Sequence, residues 1–364
     1  MRRKVIIPIV MLAAVVALLV GVLVVPARGG SGTTATVAKT TAKDVTPITA
    51  VASLLQPIVQ ANQGVTNGQA TYSLVVTPTM ATSSTTSSSP LAGLLSNGVT
   101  VSGTVMVDAK AKAADATVNV ALGNGSAMFS GEVYWSGNQG WVKYNGTWYS
   151  LPPQVLKKLH QAEAKHQQGK DTAKEAKGAK VDALLSKLGV DPQTWLSGLT
   201  ITGPDNAGVV KISSGFDVKQ IATDLVKLFE SPQVQKQMHK VAAHQMGAQR
   251  MAKIEANGKF KHAMSAAQLA QIPDQAAAAI TSPTVDLQVN SLNHTFDTFQ
   301  ASVTIVPPAD AKAPVSQVKV DLTVTGIKLG STSIAKPVTN PQPWSQLQKS
   351  IGGLQKMFQG IMKH

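Results

Sequence analysis

Cysteine is absent from all 364 residues. That excludes disulfide bonds, thiolate metal sites and cysteine nucleophiles, and it excludes anchoring through a lipid on cysteine. Aromatic residues make up only 4%. A core must therefore come from alanine, valine and leucine, which favours thin packing around sheets. Acidic residues are also few: 19 Asp and Glu stand against 33 Lys and Arg, a formal net charge of +14. Glycoside chemistry needs two carboxylates about 5–10 Å apart, and no such pair is nominated. Neither a G-x-S-x-G elbow nor a Walker-type glycine loop occurs. There are seven histidines. His239 and His244 lie about 140° apart on a helix turning ~100° per residue, and His160 and His166 fail in the same way. The expectation is a protein that is not an enzyme, with no metal and no cofactor.

What the chain does have begins at Val5 to Val25, an almost unbroken apolar run of 21 residues after Arg2, Arg3 and Lys4. As a helix it reaches ~31 Å, enough to cross a bilayer core of ~30 Å. The cations before it favour a cytoplasmic N-terminus with the remainder outside. Residues 1–28 are thus a signal anchor or a cleaved signal peptide, and either reading exports the rest. The first gives a single-pass cell-membrane protein with its domain extracytoplasmic; the second gives a secreted one. Residues 29–47 are rich in Gly, Ser, Thr and Ala without an apolar period, and read as a flexible linker.

Residues 48–364 read as one domain. Val51, Leu54, Leu55, Ile58 and Val59 have helical spacing, which predicts a helix over Ile48 to Gln60. Alternating segments predict strands at Ala70 to Thr77, Val99 to Val107, Thr117 to Leu122, Met128 to Trp135, Gly140 to Tyr144 and Thr147 to Leu151. Asn145-Gly146 is the strongest hairpin signal, because both central residues of a type I′ turn need positive φ. A Lys-rich helical insertion is expected near 155–188, ending at Gly189 as a C′ glycine. After a strand at Val209 to Ser213, a helical segment spans about 217–272. Asp217 caps it, and Ile221, Leu225, Leu228 and Phe229 face inward, with Asp224 on the surface. Strands at Thr284 to Val289, Thr295 to Val306 and Gln317 to Thr325 precede a final amphipathic helix carrying Trp344 and Leu347. The order predicts an α+β fold: a large curved antiparallel sheet gathered around helices, preceded by the N-terminal transmembrane or signal helix.

Eight lysines against four acids between Val155 and Lys187 make a basic surface around Lys157, Lys158, Lys165 and Lys170. An anionic membrane or wall polymer is the partner that this suggests. Nucleic-acid binding is not expected, since it needs basic residues interleaved with aromatics on one sheet face. Trp135, Trp141 and Trp148, with Tyr144 and Tyr149, form an aromatic cluster that reads either as sheet core or as the wall of an apolar cavity.

The stretch YWSGNQGWVKYNGTWYSLPP, from Tyr134 to Pro153, resembles the hairpin of the mycobacterial LppX/LprG-type lipoproteins and of the wider LolA-like family. VSGTVMVD at Val101 to Asp108 resembles that family's preceding strand. VKVDLTVTGI and KPVTNPQPW, between Val318 and Trp344, resemble its closing strand and tail. The likeness implies a half-barrel enclosing a hydrophobic cavity that binds a lipid or acyl chain, in service of envelope lipid transport. The lipobox cysteine is missing, so a transmembrane helix would replace the acyl anchor. Leu74, Val105, Val120, Phe129, Trp141, Leu225 and Phe229 are the wall residues that the pattern nominates. The other reading is a non-catalytic envelope module that binds wall polymer or a partner protein through its basic helices.

Overall fold

A computed structural model describes residues 47–62, 65–81, 98–108, 110–154, 156–157, 185–232, 234–235, 266–308, 315–330, 334 and 338–349. The Val5–Val25 run, the linker, most of the Lys-rich insertion and the end of the last helix lie outside these residues. Among the described residues, no helix is long and apolar enough to cross a membrane.

Eleven strands form one antiparallel sheet. In chain order they are β1 (Asn67–Met80), β2 (Val99–Asp108), β3 (Ala113–Leu122), β4 (Ala127–Ser136), β5 (Gln139–Tyr144), β6 (Thr147–Ser150), β7 (Leu196–Thr202), β8 (Val209–Phe216), β9 (Ile280–Asn290), β10 (Thr295–Ile305) and β11 (Val315–Leu329). Their order across the sheet is β6-β5-β4-β3-β2-β1-β11-β10-β9-β8-β7. Two meanders are therefore joined where the first strand meets the last, and the expected open half-barrel sheet is what forms.

Tight turns set the register of the first meander. Asn145 and Gly146 have φ of +47° and +81°, and Tyr144 pairs with Thr147 across them, which is the two-residue turn that the dipeptide predicts. Gly189 has φ +64°. The Val190 amide bonds to the Leu185 carbonyl at 2.9 Å and the Gly189 amide to Ser186 at 3.0 Å, the paired bonds of a Schellman ending.

Two strands depart from the expected pattern for reasons of partnering. β3 starts at Ala113, earlier than the β-branched run that marks it. Its Ala-Ala-Asp opening lies deeply buried, held by pairing with Tyr134 and Trp135 on β4 rather than by local propensity. β7 has no counterpart in the sequence reading. Gly198 interrupts it with φ +62°, and its pairing with β8 skips register there.

Helix α1 (Pro47–Ala61) lies on one face of the second meander. Its Leu55 and Ile58 join Val210, Ile212, Leu287 and Val289 in the main buried cluster, with Phe296 and Phe299 packed at the edge. Helix α2 (Val218–Glu230) begins at Asp217, whose carboxylate accepts from the Gln220 amide at 2.8 Å. It packs on α3 (Ala266–Ala279), on the short 3-10 turn Pro192–Trp195 and on β9.

The buried face of α2 corrects the helical-wheel expectation. Asp224, read as a surface residue, is fully buried, while Phe229, read as facing inward, is 48% exposed. Asp224 belongs inside because it is satisfied there. It accepts from Trp195 Nε1 at 2.8 Å, Gln220 Nε2 at 3.0 Å and Lys227 Nζ at 2.8 Å. Burial pushes its pKa up, but the bonds from Lys227, Trp195 and Gln220 outweigh that and hold it below the ordinary carboxylate range.

Candidate functional site

Side chains alternate between the two faces along a strand, and residues paired across strands share a face. Following these rules through the observed register separates the sheet into two chemically distinct surfaces. Leu74 pairs with Val101, Val101 with Val120, and Val120 with Phe129. The same row runs the other way from Leu74 through Leu322 and Ala301 to Val285. Four residues along, Ala70, Val105, Ala116, Val133 and Val142 make a parallel row.

Apart from Asp297 at the β10 bulge, this face carries no charged side chain on any strand from β6 to β10. It is the face against which α1 docks, as Val285, Leu287 and Val289 share it. The opposite face is polar. There Lys319 pairs with Asp321 at 3.0 Å and Lys211 with Asp286 at 3.4 Å. Ser302 and Ser213 donate to the same two carboxylates, and Glu132 stands opposite Lys143 in the register.

The apolar face is not uniformly covered. Over β8 and β9 it is sealed by Leu55 and Ile58 of α1. Over β2 and β4 it is open, with Val105 37%, Val107 43% and Phe129 39% exposed. An uncharged, branched-aliphatic surface of this kind gains free energy by covering itself with apolar matter. Among the described residues no cluster of three or more His, Asp or Glu could hold a metal. A cleft of about 420 Å³ between Leu185 and Pro192 lies at the Schellman turn, away from this face.

The nominated wall residues are partly brought together. Leu74, Val120 and Phe129 fall on one row, and Val105 lies on the same face. Trp141 lies on the opposite face, stacked on Tyr134 with ring centroids 5.3 Å apart. Leu225 and Phe229 sit on α2, which packs on α3 rather than over the Leu74 row. The aromatic cluster divides likewise. Trp135, Tyr144 and Tyr149 belong to the apolar face, whereas Trp141 and Trp148 belong to the polar one, where Lys143 Nζ lies 5.5 Å from the Trp148 ring centroid. Lys157 is exposed; Lys158, Lys165 and Lys170 are outside the described residues.

Three contributors escape pattern reading: Tyr72, Gly103 and Gly131. Gly131 leaves room for Phe129 to fold along its own strand, since a Cβ there would come within 2.7 Å of that ring. Phe129 in turn meets Tyr144, with centroids 5.8 Å apart. At Gly103 the Tyr72 side chain crosses β2 from β1, and its hydroxyl donates to the Thr117 carbonyl on β3 at 3.0 Å. Glycine inside a strand is the signal of such close approaches.

No protein-family model matches the chain, and no curated protein matches it. Among solved structures, LprF from Mycobacterium bovis aligns over 78% of this chain and 95% of its own length, at 12% sequence identity and a TM-score of 0.26. The fold described above rests on the strand order and register themselves.

Proposed function

We propose that the chain is an extracytoplasmic, membrane-tethered binding protein whose half-barrel holds a hydrophobic ligand, a lipid or acyl chain, as a step in envelope lipid transport. The observation that carries this reading is the apolar face running from β6 to β10, open around Val105, Val107 and Phe129. Burying apolar chain there contributes ~0.8 kcal/mol per methylene, set against the cost of ordering the ligand. The ligand makes no bond to the protein and undergoes no reaction.

A specific observation favours a second reading: α1 already covers the β8–β9 part of this face from within. On that reading the protein is a structural or interaction module of the envelope, and its basic helices carry the partner. One experiment separates the two. The full-length chain is purified from a lipid-containing host in non-ionic detergent, then examined by native mass spectrometry and lipid extraction. The binding reading expects about one lipid per chain and saturable uptake of a fluorescent fatty acyl probe. An apo-protein that takes up no probe overturns it and leaves the second.

A further inference from the structure

Near the middle of the apolar face lies a polar spot. On either side of it, β2 and β3 pair in a single register: Ser102 opposite Asn119, and Val105 opposite Ala116. Between those pairs the ladder is broken. The Thr104 amide bonds to the Thr117 hydroxyl at 2.8 Å instead of to a backbone carbonyl, and the two threonine hydroxyls lie 3.0 Å apart on the polar face. The Thr117 carbonyl, released from the ladder, turns the other way. It lies where a Cβ on Gly103 would stand, and the Tyr72 hydroxyl is 2.9 Å from that point. Gly103, Tyr72 and Thr117 thus place two oxygen acceptors at the centre of an otherwise apolar surface.

We infer that this spot is a ligand anchor, and that the ligand is a long-chain lipid with an uncharged hydroxyl within its apolar body. The inference rests on the binding reading above and adds the chemical class. Tyr72 spends its one hydrogen on Thr117. What remains is acceptor capacity alone: the lone pairs of Tyr72 Oη and the second lone pair of the Thr117 carbonyl. Such a pair matches a donor and offers nothing to a carboxylate. A charged group would also be desolvated here, because no strand from β6 to β10 supplies a countercharge on this face. Gly103 is the specificity-determining position, since a Cβ there would stand where the Thr117 carbonyl oxygen lies and would dislodge that acceptor.

The test uses the full-length chain in non-ionic detergent and three probes of equal length, each with a diazirine beside the polar end: a long-chain alcohol, its methyl ether and the fatty acid. The alcohol is expected to bind about three- to tenfold more tightly than the ether, the worth of one hydrogen bond to the protein. The fatty acid is expected to bind no better than the ether. Light should then attach the alcohol to peptides containing Tyr72 or Thr117. Gly103→Ala is expected to erase the preference for alcohol while the ether still binds. Equal binding of alcohol and ether overturns the anchor but not the binding reading, as does labelling confined to other strands. If none of the three binds, the binding reading falls, and the anchor with it. Should Gly103→Ala fail to fold, the probe comparison and the labelling on the unaltered chain still decide.

Discussion

Asp224 shows how much one side chain can carry in α2. With none of its surface exposed, it ties the 3-10 turn to the helix through Trp195 and is neutralised by Lys227 one turn on. Removing it leaves the indole N–H and an ammonium short of a partner, so Asp224→Ala is expected to cost roughly 2–4 kcal/mol in a urea or thermal melt. Its carboxyl titrates below the ordinary range in the fold. The stability it supplies is therefore complete above the unfolded value near ~3.9 and is lost as pH falls through the lower folded value. Denaturation midpoints measured from neutral pH downward should show this acid arm in the native chain, and Asp224→Asn should flatten it. The exposed residues of the apolar face behave in the opposite sense. Phe129→Glu and Val105→Asp remove little packing, so stability should change by less than about 1 kcal/mol. Each places a charge on the proposed binding face, and each should weaken acyl-probe binding by tenfold or more, read by fluorescence titration.

At the scale of elements, α1 stands or falls with its buried stripe. Ile58 is 1% exposed against Val210 and Val289, so Ile58→Ala is expected to cost about 2–5 kcal/mol by chemical denaturation. The Asn145-Gly146 turn is a local device. Gly146→Val forces a β-branched residue to φ +81° and should cost about 1–2 kcal/mol, with hydrogen exchange in β5 and β6 rising first. These two elements were legible in the sequence, because an i, i+3, i+4 period and an Asn-Gly pair act through neighbours in the chain. The polar-outside strands were legible for the same reason. β7, the start of β3 and the place of Asp224 were not, since each is fixed by a partner distant in sequence. The candidate site divides along the same line. Alternation identified Leu74, Val105, Val120 and Phe129, but alternation alone does not say which parity faces which way. Trp141 therefore fell on the far surface, and Tyr72, Gly103 and Thr117 became visible only once the register between β1, β2 and β3 was known.

At the scale of the whole molecule, the tether reading of residues 1–28 makes its own prediction. The full chain should sediment with membranes, resist extraction at alkaline pH and keep its N-terminal mass; a soluble chain shortened near residue 28 overturns it. The two edges of the sheet are unlike. β6 is continued by the tail, where the Ser150 amide bonds to the Gln342 carbonyl at 2.9 Å and the Gln342 amide to Trp148 at 2.7 Å. Leu347 follows and is buried. The seam between the meanders, where Leu74 meets Leu322, joins strands at opposite ends of the sheet-forming sequence, and α1 rests on β8 and β9, which are made long after it. On the exported reading proposed above, the first meander reaches the far side of the membrane before anything exists to close its seam or receive α1. Contacts of such long sequence separation form slowly, and an open apolar sheet in the meantime invites aggregation. The order of synthesis thus gives the nascent chain a period in which its apolar face must be shielded by something else, and on the binding reading a hydrophobic ligand already seated on that face would shorten it.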